Sequence, residues 1–290
     1  PRASGTRRTA LVAGATYRLR PLARGRVLLE RDGTRIASFT GPVRISPAAG
    51  EAVAWGERRP EITRRYRGTL HVDPVGAVAG RLAVTNSVGV EDYLRGVVPR
   101  EMSPSWAGGA AAALRAQAVA ARSYALASLR PSAAFDVHDD TRSQVYGGVA
   151  AEDHRSDAAI AATRRRVLTY DGGIITAYFH STSGGRTEDV QNAWPGSAPR
   201  PYLVSVDDHF DRVSPYHSWT SPPRFTAGRL GELLGGGSPV ADVAVLRRGA
   251  SPRVLEARIT TTTGDVTTMS GAEIRARLGL MDTWFSVRSR

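Results

Sequence analysis

A carboxylate set among apolar neighbours is the first chemistry this sequence offers. Glu101 lies in Val97-Val98-Pro99-Arg100-Glu101-Met102-Ser103-Pro104-Ser105-Trp106, between two prolines and just ahead of an Ala-rich run. If the fold half-buries it, loss of water favours the neutral acid and suits the group to donate and then accept a proton. Pro99 and Pro104 restrict the backbone on both sides, which predicts a preorganised segment that is not regular helix. A competing reading makes Glu101 a carboxylate attracted to the positive end of the helix that follows. Residue types alone favour this second reading.

The second constellation is His180-Ser181-Thr182-Ser183-Gly184-Gly185-Arg186-Thr187. Its hydroxyls, two glycines open to close backbone approach and one guanidinium suit a cradle for a sugar or a lactyl carboxylate. The same residues also make an ordinary turn whose hydroxyls cap it. Ser183 and His180 do not make a serine hydrolase, because no G-x-S-x-G elbow is present and three-residue spacing proves nothing. Asp136-Val137-His138-Asp139-Asp140 sets one His beside three carboxylates, a weak metal signal without a second His or any Cys.

Certain elements must position these groups. Residues 1–65 alternate apolar and polar types in short runs, with Asp32-Gly33 as a hairpin turn between Arg26–Arg31 and Thr34–Phe39. From Tyr66 the pattern stays β to Val88, with short helical structure expected only over Glu91 to Leu94. A long helix is predicted from Gly109 to just before Pro131, with Leu114, Ala118, Ala121, Ala125 and Leu129 as a small-residue stripe. Arg122 on that helix needs an anionic or carbonyl partner, and a loop carboxylate such as Asp136 or Asp139 serves as well as a substrate. A second helix is predicted over His154 to Arg166, with Ala158, Ile160, Ala161 and Ala162 inside, then a hairpin leading to the Ser181 loop. Val240 to Leu246 and Val254 to Thr262 read as closing strands, and Gly271 to Leu278 as a final helix.

The chain has 290 residues, no cysteine and a net charge of +12 carried wholly by arginine. Its composition is that of a globular protein rather than a disordered one. Disulfides and thiolate metal sites are excluded. The arginines are scattered rather than clustered with aromatics, which argues against nucleic acid and leaves anionic wall polymers or an acidic partner. No apolar run is long enough to span a membrane. The chain begins at Pro1 without Met, as a trimmed form would, so the absence of a leader from it says little about export.

Several of these stretches together are similar to the stage II sporulation protein D / LytB family. They are Glu91-Asp92-Tyr93-Leu94-Arg95-Gly96-Val97-Val98-Pro99-Arg100-Glu101-Met102 with Trp106, Ala116 to Ala125, Ser143-Gln144-Val145-Tyr146-Gly147-Gly148, Ala177 to Glu188, and Ser270 to Leu280. Taken in order they cover the chain from about Tyr66 to its end.

The resemblance implies action on bacterial peptidoglycan outside the cytoplasm, secreted or anchored before trimming. It implies a lytic transglycosylase that cleaves MurNAc-GlcNAc bonds of peptide-stripped strands to 1,6-anhydro-MurNAc ends, with Glu101 as the single acid/base. The other reading it allows is a glycan-binding modifier of a cell-wall amidase that does not cut. Either way Arg122, Gln144, Tyr146, His180, Ser183 and Arg186 are the expected substrate-binding residues. The resemblance extends to relatives that bind zinc through a His and cysteines. Ser143 stands where a Cys would be, so no metal and no cofactor are expected. The predicted fold is α+β: a mixed β-rich core with a long Ala-rich helix carrying the active-site segment, and a small N-terminal β module. The predicted domains are 1–65 and 66–290.

Overall fold

The computed structural model describes residues 9–48, 52–56, 63–75, 80–219 and 223–288. The chain divides into two compact units, Pro1–Phe179 and His180–Arg290. Small antiparallel sheets and helices alternate in both, so the class is α+β, as the sequence predicts.

The first unit opens with a three-stranded meander, β1 (Arg18–Leu22), β2 (Arg26–Arg31) and β3 (Thr34–Thr40). Asp32 and Gly33 both take positive φ, 50° and 75°, the two-residue turn whose twist matches the paired strands. Val27 and Leu29 face inward, while Arg18, Arg20 and Arg26 stay exposed on the alternate positions. Next come β4 (Val43–Ile45), β5 (Val53–Gly56), β6 (Thr63–Tyr66), β7 (Thr69–Pro74) and β8 (Leu82–Ser87). β4 pairs with β7, β7 with β8, and β5 with β6. The expected boundary between residues 65 and 66 therefore falls inside β6, and strands on either side of it share a sheet.

Helix α1 runs over Val90–Glu101 with Pro99 inside it. This corrects the expectation that the prolines keep Glu101 out of regular helix. Pro99 lies two residues from the helix end, where its missing N–H removes a single rung and the ladder closes through Met102 N–H to Val98 O, 2.9 Å. The α1 face Tyr93, Leu94, Val97 and Val98 packs on Leu114, Ala118, Ala121 and Ala125 of α2 (Ala107–Ala127). Alanines there permit the close approach that the stripe predicted. Leu129, read as its last member, lies beyond the helix and is 55% exposed. The catalytic candidate thus sits on α1, not on the Ala-rich helix.

Helix α3 (His154–Ala162) is shorter than predicted and starts at Asp153, whose side chain accepts the Arg155 N–H. It buries Ser156, Ala159 and Ile160, whereas Ala158, Ala161 and Ala162 are exposed. Alanine fits either face, so its presence could not set the helix phase. Two-residue strands β9 (Thr169–Tyr170) and β10 (Gly173–Ile174) complete the unit.

The second unit holds α4 (Val190–Ala193), α5 (Ala227–Leu234), the meander β11 (Val240–Arg248), β12 (Val254–Thr261) and β13 (Val266–Ser270), and α6 (Gly271–Leu278). Leu234, Val240, Val254, Ala257, Ile259, Met269 and Ile274 make its core. A capping box between Ser270 and Glu273 starts α6, and Gly279 in the left-handed region ends it. Among the described residues no helix is long and apolar enough to cross a membrane.

Candidate active site at the end of the first helix

Glu101 is the last residue of α1 and is partly exposed. A helix C-terminus repels a carboxylate by about 0.3–1 kcal/mol, so the dipole of its own helix does not favour this Glu. Its Oε1 accepts the N–H of Val145 at 2.8 Å, and its Oε2 has no hydrogen-bond partner among the described residues. One oxygen is held and the other is open.

The loop that supplies Val145 is seated by four further devices. Gly147 N–H donates to Gly96 O at 3.0 Å. Gly96 has no Cβ because one would stand 2.4 Å from Tyr146 Cε2. The Tyr146 ring is buried between Tyr93 and Tyr66, with centroids 5.1 and 5.9 Å away, and its hydroxyl donates to Asn86 Oδ1 at 3.2 Å. Gln144, fully buried, accepts from Tyr93 Oη at 3.2 Å and donates to Ala121 O at 3.4 Å. Burial pushes the hydroxyls of Tyr93 and Tyr146 above their ordinary range, so both remain protonated donors. Gln144 and Tyr146, expected at the substrate, are committed inside the protein and hold the loop that orients Glu101.

Arg122 is 1% exposed. Its Nε and Nη2 grip Glu91 at 3.0 and 2.8 Å, and Nη1 donates to the carbonyls of Ala118 and Arg166. Its partner is Glu91, neither Asp136 nor Asp139, because α1 packs along α2 and brings its first turn to the guanidinium. Burial pushes the Glu91 carboxyl up, but the Arg122 hydrogen bonds and charge hold it below the usual range. In the acidic loop Asp136 accepts the backbone N–H of Arg130 at 2.6 Å, and Arg142 pairs with Asp140 at 2.7 Å, which keeps that carboxyl down at about 2. His138 stacks edge-on to Phe135, and its backbone N–H donates to Ser143 Oγ at 3.1 Å. Among the described residues no three His, Cys, Asp or Glu side chains converge as metal ligands.

In the second unit, His180 is exposed and Ser183 is buried. Ser183 Oγ donates to Asp208 at 2.9 Å rather than to any histidine, and it accepts the Gly185 N–H at 3.1 Å. Asp211 gathers Thr182 Oγ1, Ser183 N–H and His217 Nδ1 at 2.6, 2.7 and 2.7 Å. Burial raises its carboxyl, yet these donors hold it well below the carboxylate range. The hydroxyls therefore build the loop, while Arg186, bonded to Ser205 Oγ at 3.0 Å and 3.4 Å from Asp207, keeps Nη2 unpartnered among the described residues.

Residues 78–170 match the stage II sporulation protein family model, which takes in α1, α2 and the Val145 loop. The chain is 38% identical over 144 residues to an uncharacterised protein of Brachyspira hyodysenteriae, spanning 49% of this chain and 37% of that one. It is 33% identical over 210 residues to the amidase enhancer of Bacillus subtilis, 72% of this chain and 27% of that protein. It is also 31% identical over 235 residues to the stage II sporulation protein D of the same organism, 73% and 64% of the two chains. The chain belongs to the stage II sporulation protein D family. It spans less than two thirds of each of these three relatives.

The family match encloses Glu101, Arg122, Gln144 and Tyr146 and ends before His180, Ser183 and Arg186. The sequence gives no role to Gly96, the Val145 N–H or Asp211, and it places His217 only among the aromatics of the loop-rich stretch 191–221. A glycine inside the otherwise bulky run Tyr93 to Val98 was a usable signal for Gly96. Nothing local marks a backbone N–H or a His–Asp pair six residues apart.

Proposed function

We propose that this member of the family is a peptidoglycan lytic transglycosylase acting outside the cytoplasm, with Glu101 as its only acid/base. The carrying observation is the asymmetric hold on Glu101: Oε1 is tied to the Val145 N–H, and Oε2 is open to a substrate atom. As the acid, Glu101 protonates the oxygen between MurNAc and GlcNAc, and the C1–O bond breaks. As the carboxylate it then takes the proton from the C6 hydroxyl while O6 bonds to C1, leaving a 1,6-anhydro end. Ordinary glycosidases need a second carboxylate for water or a covalent intermediate. An internal hydroxyl removes that need, which agrees with one well-held Glu.

A second reading rests on the likeness to an amidase enhancer: the chain binds glycan and acts on a cell-wall amidase without cutting. The separating experiment gives amidase-stripped glycan strands to the parent and to Glu101→Gln, with mass spectrometry of the soluble products. Anhydro-muramyl ends from the parent alone support the transglycosylase. No such ends from either, with strands still retained on both proteins, favours the second reading.

A further inference from the structure

We infer that the outer face of the β1–β2–β3 meander is a binding track for a linear polyanion, a phosphodiester-linked polyol chain of the wall. The choice of a wall polymer rests on the extracytoplasmic reading above. The track itself rests on where the strands put their arginines, in a part of the chain that precedes residues 78–170 of the family match.

From Thr9 to Ala48 the chain has seven arginines against two carboxylates, Glu30 and Asp32. They stand apart in the sequence, and strand pairing gathers them. The register sets Arg18 opposite Glu30, Arg20 opposite Leu28 and Leu22 opposite Arg26. Cross-strand partners share a face, so Arg18, Arg20 and Arg26 project to one side while Val27, Leu29 and Ala37 are buried on the other. Arg24, at φ 58° in the turn between β1 and β2, continues the row beyond Leu22. All four arginines are exposed.

Their charge is not spent within the sheet. Glu30 is the carboxylate on this face, and Arg20 reaches it only at 3.8 Å with 61% of its own side chain exposed, a solvated pair worth little. Arg26 donates to Ser38 Oγ at 2.7 Å, a neutral partner that leaves the guanidinium its charge. Arg18 and Arg24 have no hydrogen-bond or ion-pair partner among the described residues. Four cations against one carboxylate make a positive surface that must meet an anion. Alternate residues of a strand stand about 7 Å apart, and Arg18 to Leu22 spans about 14 Å, so these guanidiniums lie in a row and cannot converge on one small anion. A chain with a charge on every repeat can touch each in turn. Nucleic acid suits the face less well: its outward residues are Arg, Leu, Glu, Ser and Thr, while Phe39 pairs with Val27 on the opposite side, so no ring is offered for a base to stack on.

The test titrates the whole chain with deacylated poly(glycerol phosphate) over a salt range of about 50 to 200 mM. Four phosphate contacts predict a log–log slope of about −3, so affinity should fall about 50-fold across that range. Arg18→Gln and Arg24→Gln, exposed changes that strand no partner, should each weaken binding and reduce that fall to about 20-fold. Arg258→Gln, which removes the same charge from an exposed position of β12 in the other unit, should do neither. No binding, binding indifferent to salt, or equal losses from Arg258→Gln and Arg24→Gln overturns the proposal. So does retention of duplex DNA that is as tight and as dependent on Arg24, which would make the face a general polyanion surface. Dependence on Arg24 seen with phosphatidylglycerol vesicles and not with the free polymer would overturn it in favour of a bilayer. Glu101→Gln should bind the polymer as the parent does. Polymer binding at this face without anhydro products would sink the transglycosylase reading and keep the track; anhydro products without polymer binding would do the reverse.

Discussion

Replacing Gly96 by Ala tests the seating of the loop that holds Glu101 directly. The new methyl would stand 2.4 and 2.7 Å from Tyr146 Cε2 and Cδ2 and 3.2 Å from Gly148 N. Tyr146 cannot swing away, since its ring is stacked on Tyr93 and Tyr66 and its hydroxyl is bonded to Asn86. Overpacking of this kind costs about 2–3 kcal/mol, and Ala in place of Gly inside a helix returns about 1. The expected net loss is about 1–2 kcal/mol, or a fall in Tm of about 2–8 °C for the first unit. Relief through movement of the loop would carry Val145 N–H away from Glu101, so turnover on stripped strands should fall more than glycan retention. A double-mutant cycle with Tyr146→Leu, read by urea denaturation, isolates the clash: with the ring gone, Gly96→Ala should become neutral or stabilising. Unchanged stability of the single variant, or additive losses in the double one, would refute the packing argument.

Arg122→Met leaves Glu91 without its guanidinium and should cost about 2–4 kcal/mol, toward the lower side of a broken buried pair because Glu91 still reaches water. A loss below about 1 kcal/mol in urea unfolding would show that Arg122 is not structural. Acid should destabilise both units. Glu91 and Glu188 titrate below 4.5 in the folded state and Asp211 below 3.8, so their stabilisation is complete above the unfolded values and is lost as pH falls through the folded ones. Urea midpoints should be flat from about pH 7 to 5.5 and drop below about pH 4.5; a drop beginning at pH 6 would implicate other groups.

The sequence by itself determined the class of the fold, the Asp32-Gly33 hairpin, the small-residue stripe of α2, the closing helix Gly271–Leu278 and the singular position of Glu101. These are local matters of turn conformation, side-chain period and neighbouring residue type, and they need no partner from elsewhere in the chain. Tertiary structure decided the rest. Pro99 reads as a helix breaker, yet so near the end of α1 it removes one rung from a helix whose buried face is already bound to α2. Arg122 finds Glu91, 31 residues earlier, only because two helices pack along each other. Gln144 and Tyr146 look like ligand-binding types, and it is burial that turns them into supports for a backbone N–H 2.8 Å from Glu101. Asp211 and His217 stand in an undistinguished loop until Thr182 and Ser183 close on the same carboxylate. Contacts between distant segments depend on which faces bury, and only the folded chain settles that.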